Sequence, residues 1–220
     1  MGALFSEYDV LSAFWMTIQL SVLSAFGSLV VGTIVAIMRV SPVTVLRTIG
    51  AGYVNIIRNT PLTLLMVLSI LGLTFILGLQ ISRQATTNVY WWAIVMLSLY
   101  HAAFVAEALR SGVNTVPAGQ AEAARSIGLT FTLSLREVIL PQAFRGAIAP
   151  LGSTMIALIK NTTVAAAIGN PESARLMATV VENEGASLDI FFVFALGFVI
   201  LTLPLGIYMT NLSRRLAVKR

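Results

Sequence analysis

Residues 119–128 read "GQAEAARSIG" and form a polar island between long apolar stretches. The island has the marks of a short helix. Pro117 stands before it and Gly128 closes it, the asymmetry in which proline opens a helix and glycine ends one. Ala121, Ala124 and Ile127 fall on one face, and Glu122, Arg125 and Ser126 on another. So short a helix is marginal alone, because few hydrogen bonds offset the cost of nucleation. It therefore needs a surface to dock against. Its alanines and glycines allow close backbone approach, while its polar face keeps it out of lipid. The residues by themselves admit two readings: a docking element reaching towards a partner, or an interfacial helix that joins two spans.

The surroundings of the island are those of a membrane protein. The chain of 220 residues is 57% hydrophobic and 10% charged, with a mean hydropathy of +0.89. Soluble domains run at about 45–50% apolar and about 25% charged. So few charges among long apolar runs suit the hydrocarbon core of a bilayer, where no water solvates them. Cysteine is absent and His101 is the single histidine, which excludes disulfides, thiol chemistry and a histidine-built metal centre. The expected fold class is an all-α integral membrane protein.

A span needs roughly 20 apolar residues, and five fit. They run over about 12–38, 60–79, 90–110, 144–168 and 190–212, all within one transmembrane domain covering 1–220. Ser41-Pro42 breaks the chain after the first, and "RNTP" (58–61) opens the second. A polar loop, 80–88, leads to the third, which opens on Trp91 and Trp92. A loop over 111–143 separates the third from the fourth, and an acidic segment, 170–189, precedes the fifth. Five spans put the termini on opposite sides. One side then holds Arg39, Arg47, Arg58, Arg110, Arg125, Arg136, Arg145, Arg214, Arg215, Lys219 and Arg220, and the other only Arg83 and Arg175. Basic residues accumulate on the cytoplasmic side of a membrane. The expected orientation is N-out and C-in, with the polar island in the cytoplasm.

Several motifs resemble those of one family. "EAARSIGLTFTLSLREVILPQAF" (122–144) resembles the EAA loop of ABC importer permeases: Glu122-Ala123-Ala124, Gly128 six positions after the glutamate, then Val138 and Leu140-Pro141. The general pattern has isoleucine where Val138 stands. "EALRSGVNTVPAGQ" (107–120), "RNTPL" (58–62) and "IKNTTVAAAIG" (159–169) are similar to the versions in polar amino acid permeases, and the likeness extends from "WMTIQLS" (15–21) to the tail. The resemblance implies a type I importer permease in the bacterial plasma (inner) membrane, working with a second permease subunit, identical or related. It implies a cytosolic ATP-binding subunit that carries ATP and Mg²⁺, and an extracytoplasmic binding protein that delivers a polar amino acid, glutamate or a relative favoured. It also assigns the ATPase-coupling role to Gly119, Gln120, Glu122, Ala123, Ala124 and Gly128.

The chain supplies no motor of its own, since nothing matches the G-x-x-x-x-G-K-[ST] loop that cradles nucleotide phosphates. It is expected to be a non-enzyme, with neither cofactor nor metal, and energy arrives through a partner. Lys160 is the one charge inside a span, and an intramembrane charge marks a functional candidate. It suits the carboxylate of an amino acid, with Asn161 and His101 as neighbouring candidates. The alternatives are that Lys160 snorkels or pairs with a polar neighbour, and that His101 is a packed core histidine. Glu107 and Arg110 stand three apart at a span's end, suited to a pair that anchors the loop. An ion-coupled secondary transporter or channel is the competing class, but it needs acidic residues within the spans, and no Asp or Glu lies mid-span. A membrane enzyme lacks a Ser/His/Asp set, a HExxH motif or paired intramembrane aspartates.

Overall fold

The computed structural model describes residues 7–216, and every described element is helical. Helix α1 (Val10–Val40) starts where Asp9 Oδ1 accepts the N–H of Ser12 at 3.0 Å, satisfying one donor of the first turn. It ends at Ser41, held extended by the proline after it. Helix α2 (Thr44–Arg58) meets α3 (Leu62–Ile76) at a 98° bend through Asn59, Thr60 and Pro61. Pro61, which has no N–H to lose, precedes the first turn of α3 and accepts from Leu64 and Leu65. Helix α4 (Ala85–Asn114) follows, then the short α5 (Ala118–Ser126). A continuous helical run, α6 (Phe131–Ile168), tightens to 3-10 geometry over Thr162–Ile168. Helices α7 (Ser173–Glu184) and α8 (Leu188–Leu216) complete the fold.

Four helices, α1, α4, α6 and α8, are long and apolar enough to cross a membrane, and the bent pair α2–α3 supplies a fifth if it counts as one span. Besides α5, two helices lie outside the apolar runs read from sequence. Helix α2 occupies 44–58, and α7 forms within the acidic segment. The segment 131–143, assigned to the loop from sequence, is helical and continuous with the fourth apolar run. The C-terminal Lys219 and Arg220 lie outside the described residues.

Helix α4 is the centre of the bundle. It packs against α1 on one side and α6 on another, and α8 lies against α6. Ala93, Ala102, Ala103 and Ala106 of α4 are wholly buried. Small side chains let the backbones approach, which is how helices pack when lipid offers no hydrophobic drive. Gly112 shows how close: a Cβ there would sit 2.2 Å from the Ala143 carbonyl of α6. Trp92 also packs inward, against Leu20, Met66 and Ala165, while Trp91 stays exposed.

Hydroxyls tie α7 to α1. The Ser173 N–H donates to Thr17 Oγ1 at 3.2 Å, and the two hydroxyls lie 2.9 Å apart. Beside them Glu172 caps α7, its fully buried carboxylate accepting from Ala174 N at 2.8 Å and Arg175 N at 2.9 Å. Burial pushes this carboxyl above its usual range, and those hydrogen bonds pull it only part of the way back.

Candidate functional site

Two places carry the residues singled out from sequence: the short helix α5 and a cleft between α4 and α6.

Helix α5 ends in a Schellman motif. Leu129 N donates to Ala124 O at 3.1 Å and Gly128 N to Arg125 O at 2.9 Å, with Gly128 at φ +84°. That left-handed residue turns the chain back onto the first turns of α6, against which α5 packs. Thr130 then opens α6 by accepting from Leu133 N. Ala124 is buried in this seat, whereas Gly119, Gln120, Glu122 and Ala123 are exposed. Ala121 and Ala124 face inward as their spacing predicts. Ile127 does not, because the helix ends at Ser126 and the turn at Gly128 swings it outward to 77% exposure. Gln120 and Glu122 of α5 and Ile127 in the turn after it are all exposed.

The cleft lies between α4 and α6, about 290 Å³, lined by Tyr100, His101, Phe104, Ser153, Thr154 and Asn161 among others. His101 is buried, its Nδ1 2.9 Å from Leu97 O and its Nε2 3.1 Å from Asn161 Nδ2. A carbonyl can only accept and an amide NH₂ only donate, so the pair fixes a neutral imidazole protonated on Nδ1. Asn161 keeps its Oδ1 for another donor. The structure thus brings His101 and Asn161 together and leaves Lys160 outside the cleft lining, exposed and without an ion-pair partner among the described residues. Tyr100, Phe104, Ser153 and Thr154 escaped the sequence reading. For Ser153 the signal is its spacing by four from Ala157 and Asn161, one stripe of α6, and for Tyr100 and Phe104 their own spacing by four on α4.

Below the cleft, Glu107 of α4 gathers three arginines. Arg110 donates from Nε to Oε1 at 3.0 Å, Arg39 of α1 bonds Oε2, and Arg58 of α2 stands 4.0 Å from Oε2. Arg58 also lies over the Phe104 ring, 5.4 Å from its centroid. The Glu107–Arg110 pair is the one its spacing suggests; Arg39 and Arg58 arrive from elements far away in sequence. One carboxylate among three guanidiniums leaves the cluster positive.

Residues 28–218 match the family described as binding-protein-dependent transport system inner membrane component. The chain is 51% identical over 218 residues to the glutamate transport system permease protein of Corynebacterium glutamicum, covering 96% of each. It is 31% identical over 160 residues to an arginine transport system permease protein of Bacillus subtilis, covering 73% of this chain and 70% of the relative. Among solved structures it is similar to an amino acid ABC transporter crystallised with histidines, with a TM-score of 0.83, 27% identity, and 94% and 93% of the two chains covered. The inward-facing methionine ABC transporter shares the fold at a TM-score of 0.78 and 23% identity, with 95% and 96% covered. The fold is that of a type I ABC importer permease, and the chain belongs to the family of binding-protein-dependent transport system inner membrane components.

Proposed function

We propose that this chain is the membrane-spanning permease subunit of an ATP-driven importer of glutamate or a closely related acidic amino acid. The observation that carries the reading is the 51% identity, over nearly the whole of both chains, to a glutamate permease. The positive cluster around Glu107, set below the cleft, supports an anionic solute.

In this reading the chain pairs with a second permease subunit, identical or related, and lies N-out and C-in as a single domain. A binding protein delivers the solute to the outer mouth. The exposed face of α5, with Gly119, Gln120, Glu122 and Ala123, docks on a cytosolic ATP-binding subunit, where ATP and Mg²⁺ are held. Ala124 and Gly128 set the helix in its seat. Closure of the ATPase pair moves α5, and α6 carries that motion into the bundle as a rigid element. The solute passes by the cleft of His101 and Asn161, and Lys160, exposed beside Asn161, meets its carboxylate. No step of chemistry occurs on this chain.

The test is ATPase stimulation of the reconstituted complex by binding protein loaded with each of a panel of amino acids. Stimulation by glutamate or aspartate over glutamine and arginine supports the reading. Stimulation by a basic or neutral amino acid alone overturns the substrate assignment.

A further inference from the structure

We infer that the chain holds an anionic phospholipid in a groove between α1, α4 and the start of α6. The groove, about 370 Å³, lies on the side of the bundle that carries α5. Its walls are Leu29 and Ile37 of α1, Leu109 of α4, and Leu140 and Phe144 of α6, with Arg110 at its edge. Ile37 and Phe144 are 51% and 57% exposed, so the walls are open from the side. Even the groove's hydroxyl is spent inwardly, since Thr33 Oγ1 donates to Leu29 O at 2.6 Å.

The charge at this level selects the occupant. Arg110 directs Nε and Nη2 at Glu107, which leaves Nη1 without a partner among the described residues. Arg39, Arg136 and Arg145 each adjoin a wall residue in sequence, beside Val40, Leu135 and Phe144. Arg110 is the arginine that lines the groove, and the cluster it belongs to holds three guanidiniums, those of Arg39, Arg58 and Arg110, to the one carboxylate of Glu107. A second copy of this chain set on the groove across a two-fold axis would bring the same arginines together. A phospholipid instead fills the slot with an acyl chain and offers its phosphate to Arg110, the arrangement by which basic pockets between spans hold anionic headgroups. Leu140 and Phe144 lie on the stretch joining α5 to the bundle, so a seated lipid braces that arm. This consequence rests on the docking role of α5; the binding does not.

The experiment is native mass spectrometry of the full-length chain released from nanodiscs of phosphatidylglycerol and phosphatidylcholine with matched acyl chains. The wild type retains phosphatidylglycerol on the order of tenfold over phosphatidylcholine. Arg110→Gln brings the two towards parity and Arg110→Lys keeps the preference. Thr33→Phe, which fills the slot without touching the Glu107 cluster, lowers retention of both lipids. Equal retention by the wild type overturns the inference, as does wild-type retention by Thr33→Phe. Displacement by soluble glycerol phosphate would reassign the arginines to free anions, and a disulfide between two copies of Thr33→Cys would reassign the groove to a subunit interface. Either result also overturns it. Because this readout needs no ATPase, its failure is distinct from failure of the transport assignment.

Discussion

Arg39 and Arg110 hold opposite oxygens of the same carboxylate, that of Glu107, and so tie α1 to the end of α4 from which the chain leaves for α5. Replacing Glu107 by glutamine keeps the shape and removes the charge that three guanidiniums share. The cluster is partly exposed, so the loss is smaller than for a fully buried pair: about 1–3 kcal/mol. A thermal scan in detergent should show a lowered midpoint. The double variant Glu107→Gln/Arg39→Gln should lose less than the two single losses added together, because both remove the same interaction.

Gly112 and Gly119 predict opposite outcomes for one change. A Cβ at Gly112 would meet Ala143 O at 2.2 Å, whereas at Gly119 nothing lies within 4 Å. Gly112→Ala should force α4 from α6 and cost about 1–3 kcal/mol. Gly119→Ala should leave the thermal midpoint unchanged or raise it, since alanine favours the helix. Any effect of Gly119→Ala would then appear in assembly with the ATPase.

Glu172 makes stability depend on pH. Its carboxyl is raised in the fold by burial, so the fold favours the protonated form. The stabilisation is complete below the ordinary carboxylate range and is lost as pH rises through the raised value. Glu172→Gln should remove this dependence, leaving a midpoint that stays flat across the pH range in which the wild type's falls. Glu172→Ala deletes the cap of α7 and should cost about 1–2 kcal/mol at every pH.

Lys160 and Asn161 separate fold from transport. Lys160 is exposed and without an ion-pair partner among the described residues. Lys160→Met should therefore fold normally while raising the glutamate concentration for half-maximal uptake on the order of tenfold, the effect of removing one charge-assisted hydrogen bond. Asn161→Ala leaves His101 Nε2 buried and unpaired, and should lower stability by about 1–3 kcal/mol as well. Unchanged half-saturation in Lys160→Met removes that residue from the solute path.

Local signals in the sequence carried much of this. Apolar runs gave the spans, and Pro117 and Gly128 bracketed α5 because a helix end depends on a few adjacent residues. The Glu107–Arg110 pair was legible for the same reason, being one turn apart. Arg39 was not, since it meets Glu107 across 68 residues through packing that no local pattern encodes. Helix α7 hid in an acidic segment because its stability comes from the Glu172 cap and from Thr17 on a distant helix. Ile127 had the right spacing for burial, but the turn at Gly128 came one residue too soon. Lys160 stood out as a lone charge, yet its separation from the His101 cleft is a matter of helix register at the close of α6.

On the proposed function, α5 is the joint through which a separate ATPase drives this permease. The direct measurement is ATP-dependent uptake of labelled glutamate by proteoliposomes holding the assembled complex and binding protein, wild type against Glu122→Lys. Glu122 is exposed and its side chain makes no hydrogen bond or ion pair within the described chain, so the bundle itself should fold unchanged. Reversing its charge should reduce uptake at least on the order of tenfold, the scale on which an attractive charge pair across an interface turns repulsive. Full uptake and full solute-stimulated ATPase activity in Glu122→Lys would remove the coupling role from α5.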